Sequence, residues 1–145
     1  MKCIFCEKWS FSIICETCQD DFLKPSIYHR RIKKGLDVYS FYNYDEIQGL
    51  LKAKYHFFGD RILNILGTLA FAKFAKEFSF TQTVLALPID DHTRHEFSHT
   101  AILTKHLNSQ FIKPTYNHLR AKNIVQYAGK KLEYRKTHPR DLILK

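Results

Sequence analysis

The sequence predicts an α/β fold with a parallel sheet, preceded by a small metal-binding segment. Short apolar runs that suit buried strands alternate with stretches of helical periodicity along the 145 residues, an order typical of βαβ units. All four cysteines lie in the first eighteen residues, which predicts a separate N-terminal unit. No apolar run is long enough to predict a transmembrane helix.

The cysteine spacing predicts a structural zinc site. The ligands would be Cys3, Cys6, Cys15 and Cys18, arranged as two Cys-x-x-Cys pairs that together offer the four thiolates of a tetrahedral Zn²⁺ site. Two alternatives stay open. Disulfides would suit a secreted protein, but the start of the chain lacks the apolar stretch of a signal peptide. A redox role is the second alternative, but a redox Cys-x-x-Cys normally occurs once and near a βαβ unit, whereas this chain has two copies before any predicted strand.

Zinc held by thiolates places the protein in the reducing cytoplasm, where disulfides are rare. The spacer between the cysteine pairs is short, so the site should be a small knuckle. We expect its apolar side chains to pack beside the metal or against the main domain; these are Trp9, Phe11, Ile13 and Ile14.

The first half of the chain predicts a linker, one strand and two helices. Pro25 ends the metal unit, and residues 30–35 form a charged linker. The aromatic and β-branched residues at 37–44 predict a strand. Asp45 is the expected N-cap of the first helix. Asp60 is the expected N-cap of a second helix, at 61–78. This helix is apolar enough to be buried against a sheet.

The second half predicts further alternating elements. Residues 83–88 are a continuous apolar run ended by proline, which suits a strand covered on both faces. Helices are expected at 98–107 and 124–133, with a short strand within 111–119 and the start of another at 142–144. The resulting organisation is a zinc knuckle at 1–24, a basic linker at 25–36 and an α/β domain at 37–145.

The net charge of +9 is concentrated at the two ends of the chain. Residues 1–34 carry seven basic against four acidic side chains, residues 35–119 carry eight of each, and residues 120–145 carry eight against two. Such clusters attract the phosphates of nucleic acid or of a phosphorylated small molecule, although they also occur on ordinary solvated surfaces. The candidate contacts are Arg30, Arg31, Lys33, Lys34, Lys130, Lys131 and Arg135.

One short motif offers an enzymatic alternative. Residues 95–99 match the His-Glu-x-x-His pattern of zinc proteases, with Glu96 as general base and His95 and His99 as ligands. Its context favours a loop and a helix start, since it begins seven residues after Pro88. We keep it as the remote alternative.

The order of several motifs is more informative than any one of them. The cysteine knuckle is followed by Lys54-Tyr55 before Gly59-Asp60, by Leu87-Pro88-Ile89 at a strand end, and by Arg120 and Gln126 before Arg135. This order resembles the ComF family of bacterial competence proteins over about residues 3–141. The resemblance implies a four-cysteine zinc finger before a type I phosphoribosyltransferase-like parallel sheet. It also implies phosphate-binding roles for Lys54, Arg94, Arg120 and Arg135.

Two departures from the family limit what the resemblance implies. The family's Arg-Gly-Phe-Asn-Gln loop is replaced by residues 95–99, of which only Phe97 matches, and Arg94 would have to supply the charge. The family's phosphoribosyl-pyrophosphate loop, expected after Arg135, is not found before Lys145. We therefore expect an incomplete, C-terminally truncated sheet without transferase activity, and binding of phosphoribosyl pyrophosphate only in an intact homologue.

The resemblance implies a cytoplasmic protein of DNA uptake and natural transformation that handles single-stranded DNA. Its partners would be that DNA and other DNA-uptake proteins. The alternative is a phosphoribosyltransferase, similar to amidophosphoribosyltransferases, whose catalytic loop is missing here.

Overall fold

The computed structural model describes residues 1–89, 97–123, 125, 127 and 129–144. In this part of the chain the helices are α1 (Glu16–Phe22), α2 (Tyr44–Leu51), α3 (Gly59–Leu66), α4 (Ala72–Glu77), α5 (His99–Lys105) and α6 (Leu132–Thr137). The strands are β1 (Tyr28–Lys33), β2 (Leu36–Ser40), β3 (Val84–Ala86), β4 (Ile112–Pro114), β5 (Leu119–Ala121) and β6 (Leu142–Leu144).

The strands pair two by two. β1 and β2 form an antiparallel hairpin, β3 and β4 pair in parallel, and β5 and β6 pair antiparallel. The mixed α/β class is therefore confirmed. Within the described ranges the parallel sheet has only the β3–β4 pair, and the larger phosphoribosyltransferase-like sheet is not seen.

The expected linker at 30–35 is largely a strand. β1 runs from Tyr28 to Lys33 and pairs with β2, so Arg31 lies opposite Asp37. Gly35 turns the chain between them with a φ of 79°, a left-handed conformation that glycine adopts without a steric cost. The linker prediction was wrong because cross-strand pairing, rather than local composition, sets the conformation of these polar residues.

The two central helices follow the prediction with shifted ends. Asn43, rather than Asp45, caps α2, and its side chain accepts a hydrogen bond from the Asp45 backbone N–H at 3.2 Å. α3 already begins at Gly59, so Asp60 lies in its first turn. A π-helical segment (Gly67–Phe71) joins α3 to α4. Residues 59–77 thus form one nearly continuous helical rod, close to the helix predicted at 61–78.

Two predictions for the second half of the chain were wrong in detail. β3 was expected to be covered on both faces, but Leu85 is 65% exposed, because few strands and helices surround it. The helix expected at 124–133 begins only at Leu132. Gly129 precedes it in a turn with a φ of 74°, which is incompatible with a continuous α-helix.

The C-terminal strand is present but pairs in an unexpected way. β6 was expected to begin a parallel strand of the main sheet, whereas it lies antiparallel to β5 with Arg120 opposite Ile143. All three of its residues are exposed.

The core joins the cysteine segment to the helices. Cys3, Ile14 and Leu23 are almost completely buried and share one cluster with Leu50 of α2 and Ile62 of α3. The sequence predicted a separate unit at 1–24. In the described residues the buried side chains of this segment belong to the same cluster as those of α2 and α3.

Rings attach the β1–β2 hairpin to the helical rod. Tyr39 of β2 lies 5.0 Å from Phe74 and 5.2 Å from Phe78, between ring centroids. Phe41 lies 4.6 Å from Phe71. Aromatic pairs at such distances are stabilising beyond their buried area. Because side chains alternate along a strand, the opposite face of the hairpin points away from α4.

Candidate metal centre and basic hairpin

The backbone of the first cysteine pair forms a tight knuckle. The N–H of Glu7 donates to the carbonyl of Cys3 at 2.9 Å, and the N–H of Cys3 donates to the carbonyl of Lys8 at 2.9 Å. Glu7 has a φ of 60°, in the left-handed region that favours glycine. This turn aims the sulfur atoms of Cys3 and Cys6 toward the same point.

The second cysteine pair is positioned by α1. Cys15 is the N-cap residue of this helix, and Cys18 lies in it. The helix N-terminus favours negative charge and so favours the thiolate form of nearby cysteines. The backbone N–H of Cys15 also donates to the sulfur of Cys3 at 3.3 Å, which links the two pairs directly.

The four sulfur atoms have the spacing of a metal centre. All of them lie within 4.8 Å of one another, and Sγ of Cys6 is 3.7 Å from Sγ of Cys15. A tetrahedral ion with metal–sulfur bonds of about 2.3 Å requires sulfur–sulfur distances of about 3.8 Å. None of the four is in a disulfide. The described chain therefore brings the four predicted ligands together into a site that could hold a metal ion such as zinc.

The local environment shifts the pKa values of the Cys3 and Cys18 thiols in opposite directions. Burial raises the pKa of the Cys3 thiol, but hydrogen bonds from the backbone N–H groups of Cys15, Cys6 and Phe5 outweigh this effect and lower the pKa to about 6. Burial raises the pKa of the Cys18 thiol, and hydrogen bonds with the thiols of Cys15, Cys6 and Cys3 raise it further. A bound divalent cation would favour the thiolate at every position.

The loop between the cysteine pairs differs from the sequence expectation. Ile13 and Ile14 are buried, as expected. Trp9 is 82% exposed and Phe11 is fully exposed, although both were expected to pack beside the metal or against the main domain. The Ile13–Ile14 end of the loop enters the core, whereas no described element covers Trp9 or Phe11.

The first basic cluster lies on the hairpin, and its members differ. Arg31 donates from Nε to Oδ1 of Asp37 at 2.9 Å, and Nε2 of His29 lies 2.7 Å from the same oxygen. These contacts hold the pKa of the Asp37 carboxyl below its ordinary value, first through Arg31 and then through His29. This network was not foreseen, since only the strand register places the three residues together.

Three other cations of this cluster point into solvent. Arg30, Lys33 and Lys34 are exposed and make no hydrogen bond or ion pair with the described residues. Arg30 shares with Tyr28 the face of β1 that points away from α4, and Tyr28 is exposed.

The C-terminal basic series has more local partners. Arg135 donates from a terminal nitrogen to the carbonyl of Tyr127 at 3.3 Å, and the ammonium of Lys130 lies 5.3 Å from the ring centroid of Tyr134. Lys131 is exposed at the N-cap of α6, and Arg120 is exposed on β5. The contacts of Arg135 and Lys130 stay within the C-terminal segment, so they do not join this series to the hairpin.

Some predicted sites fall outside the described residues. These are Arg94, Gln126, and His95 and Glu96 of the protease-like motif. α5 begins only at the last residue of that motif, His99, with Ser98 as its N-cap.

Lys54 lies in a short 3₁₀ segment (Lys52–Tyr55). The neighbouring Gly59 packs so closely that an added Cβ would overlap the carbonyl oxygen of Ala53.

No model of a protein family matches this chain, and no curated protein does. Among the described helices none combines the length and the apolar character that crossing a bilayer requires.

Proposed function

We propose that this chain is a zinc-containing, ComF-like cytoplasmic protein of DNA uptake, and that it binds single-stranded DNA through the β1–β2 hairpin. The observation that carries the proposal is the group of three exposed cations Arg30, Lys33 and Lys34, which no described acid neutralises. Cations that are free of ion pairs can displace counterions from a phosphate backbone.

The zinc ion has a structural role in this proposal. Four thiolates complete a tetrahedral coordination sphere and leave no position for a substrate, as in structural rather than catalytic sites. The cysteine segment shares its core with α2 and α3, so the ion would stabilise the body of the protein as well as the knuckle.

The hairpin combines charge with aromatic surface. Tyr28 is exposed beside Arg30 on the outer face of β1, and sites for single strands typically combine cations along the backbone with rings on which bases stack. Arg31, by contrast, is already bound to Asp37, so we assign it to hairpin stability rather than to DNA contact.

The test is binding of a fluorescent oligothymidylate over a range of salt concentrations. Replacing Arg30, Lys33 and Lys34 together with Gln should weaken binding at low salt and flatten the salt dependence by about 2 in the logarithmic slope, since each phosphate contact to a single strand contributes about 0.7. The matched control replaces Lys52, Arg61 and Lys105, three exposed cations elsewhere, and should change the slope little. Equal effects of the two variants would contradict a hairpin site.

A further inference from the structure

Two aromatic rings of the loop between the cysteine pairs stand out into solvent. Trp9 is 82% exposed and Phe11 is fully exposed, while Ile13 and Ile14 of the same loop are buried. Leaving such rings in water forgoes roughly 25 cal/mol for each Å² of apolar surface. Single exposed apolar residues are common on protein surfaces, whereas contiguous exposed patches mark interaction sites, and these two rings lie two residues apart in one loop.

The backbone holds this loop in place from the side of the N-terminus. The N–H of Ser10 donates to the carbonyl of Met1 at 2.9 Å, and the terminal ammonium donates to the carbonyl of Ser10 at 3.1 Å. Lys2 and Trp9 form an antiparallel bridge, and the N–H of Ser12 donates to Oγ of Ser10 at 3.1 Å. The two rings are therefore presented by a hydrogen-bonded backbone.

The charges beside the rings favour a polyanion. Lys8 precedes Trp9 in the chain, and Lys2 lies across the bridge from it, next to the terminal ammonium. Glu7 is the only acid in residues 1–15, and the other acids of the cysteine segment, Glu16, Asp20 and Asp21, lie on α1. Neither ring contacts another aromatic ring within the described residues, and a ring that is open on its faces can stack on a base.

We infer that Trp9 and Phe11 are base-stacking residues for single-stranded DNA, with Lys2 and Lys8 contacting the adjacent phosphates. The inference rests on the proposed function and adds to it a second contact surface, on the metal loop. A protein partner would also suit exposed rings, but Lys2 and Lys8 beside Trp9 favour a strand of phosphates.

The chain has a built-in probe, because Trp9 is its only tryptophan. Titration with oligothymidylate should quench its fluorescence. Trp9→Leu and Phe11→Leu should each weaken binding by roughly tenfold, since one stacked base is worth about 1–3 kcal/mol, and should leave the salt slope unchanged. Phe57→Leu is the matched control, as Phe57 is 87% exposed elsewhere on the surface, and it should bind like the wild type.

The outcomes separate the two proposals. Suppose that the oligonucleotide binds and that the hairpin variant binds it more weakly. If Trp9 fluorescence then does not change on binding, and both Leu variants bind like the wild type, the stacking inference fails and the proposed function stands. If no oligonucleotide binds, both fail. Trp9 fluorescence that depends on protein concentration without DNA would identify a second copy as the occupant and overturn the inference. Circular dichroism confirms that the variants remain folded.

Discussion

Gly67 lies directly against the imidazole of His106, so closely that a Cβ on Gly67 would overlap that ring. Nε2 of His106 is 3.0 Å from Oδ1 of Asn64, one turn earlier on the same helical rod. The absence of a side chain at Gly67 thus allows the end of α5 to approach α3, and the polar contact fixes the orientation of the ring.

Gly67→Ala should lower the free energy of unfolding by about 2 kcal/mol or more, because the added methyl group overpacks the helix contact. The matched control is Gly49→Ala in α2, where an added Cβ would meet no atom within 4 Å. That change should stabilise the protein by about 0.5–1 kcal/mol, since Ala favours the helix. Urea unfolding measures both. A second change, His106→Ala, should restore part of the stability lost in Gly67→Ala.

The contribution of His106 to stability should depend on pH. Burial lowers the pKa of its imidazole, and Lys105 lowers it further. A base whose pKa is lower when folded binds fewer protons in the folded state. Its contribution is therefore complete above the unfolded pKa of about 6.5 and is lost as the pH falls through that value to the folded pKa.

The measurement compares the wild type with His106→Gln in urea at about pH 7.5 and about pH 5.5. The stability difference between the two proteins should shrink, or change sign, at the lower pH. His118→Gln is the control, because His118 is exposed in the loop before β5. A difference that is the same at both pH values would contradict the assignment to His106.

Removal of the metal should destabilise α2 and α3 as well as the knuckle. Cys3 and Ile14 share the core with Leu50 and Ile62, and thiolate sites contribute their binding energy to folding. Treatment with a chelator should release one equivalent of metal and reduce the hydrogen-exchange protection of α2. Cys18→Ser should reproduce this loss, and re-addition of zinc should restore protection in the wild type only. Unchanged protection of α2 would show that the knuckle folds independently.

Glu7→Gly should stabilise the metal-bound protein by about 0.5–1 kcal/mol. Glu7 has a φ of 60°, a conformation that is unfavourable for a residue with a Cβ and that glycine adopts freely. The same substitution at Glu16, in the first turn of α1, should instead destabilise by about 1 kcal/mol, since glycine disfavours a helix. Thermal unfolding of the two variants checks the opposite signs.

Phe74→Ala should detach the hairpin from the helical rod. Its ring contacts Tyr39, Phe41 and Phe78, and its loss should cost about 2 kcal/mol, somewhat less than for a fully buried ring. Phe57→Ala removes a ring that is largely exposed and should cost far less. If the hairpin carries the DNA site, Phe74→Ala should also weaken binding of single strands, and fully retained affinity would argue that the hairpin does not need this support.

The sequence alone identified the four cysteines that cluster and most helices, because both depend on residues close together in the chain. Cys-x-x-Cys spacing is local, and so is the apolar periodicity at 61–78. It also identified β3 and β6 as strands, although not their neighbours.

Only the tertiary structure decided which surfaces are buried and which strands pair. Arg31 and Asp37 become partners through the register of β1 and β2, and Trp9 and Phe11 remain in water while Ile14 enters the core of α2 and α3. Composition could not show either result, because a polar segment becomes a strand only when another strand pairs with it, and an apolar side chain is buried only when another element covers it.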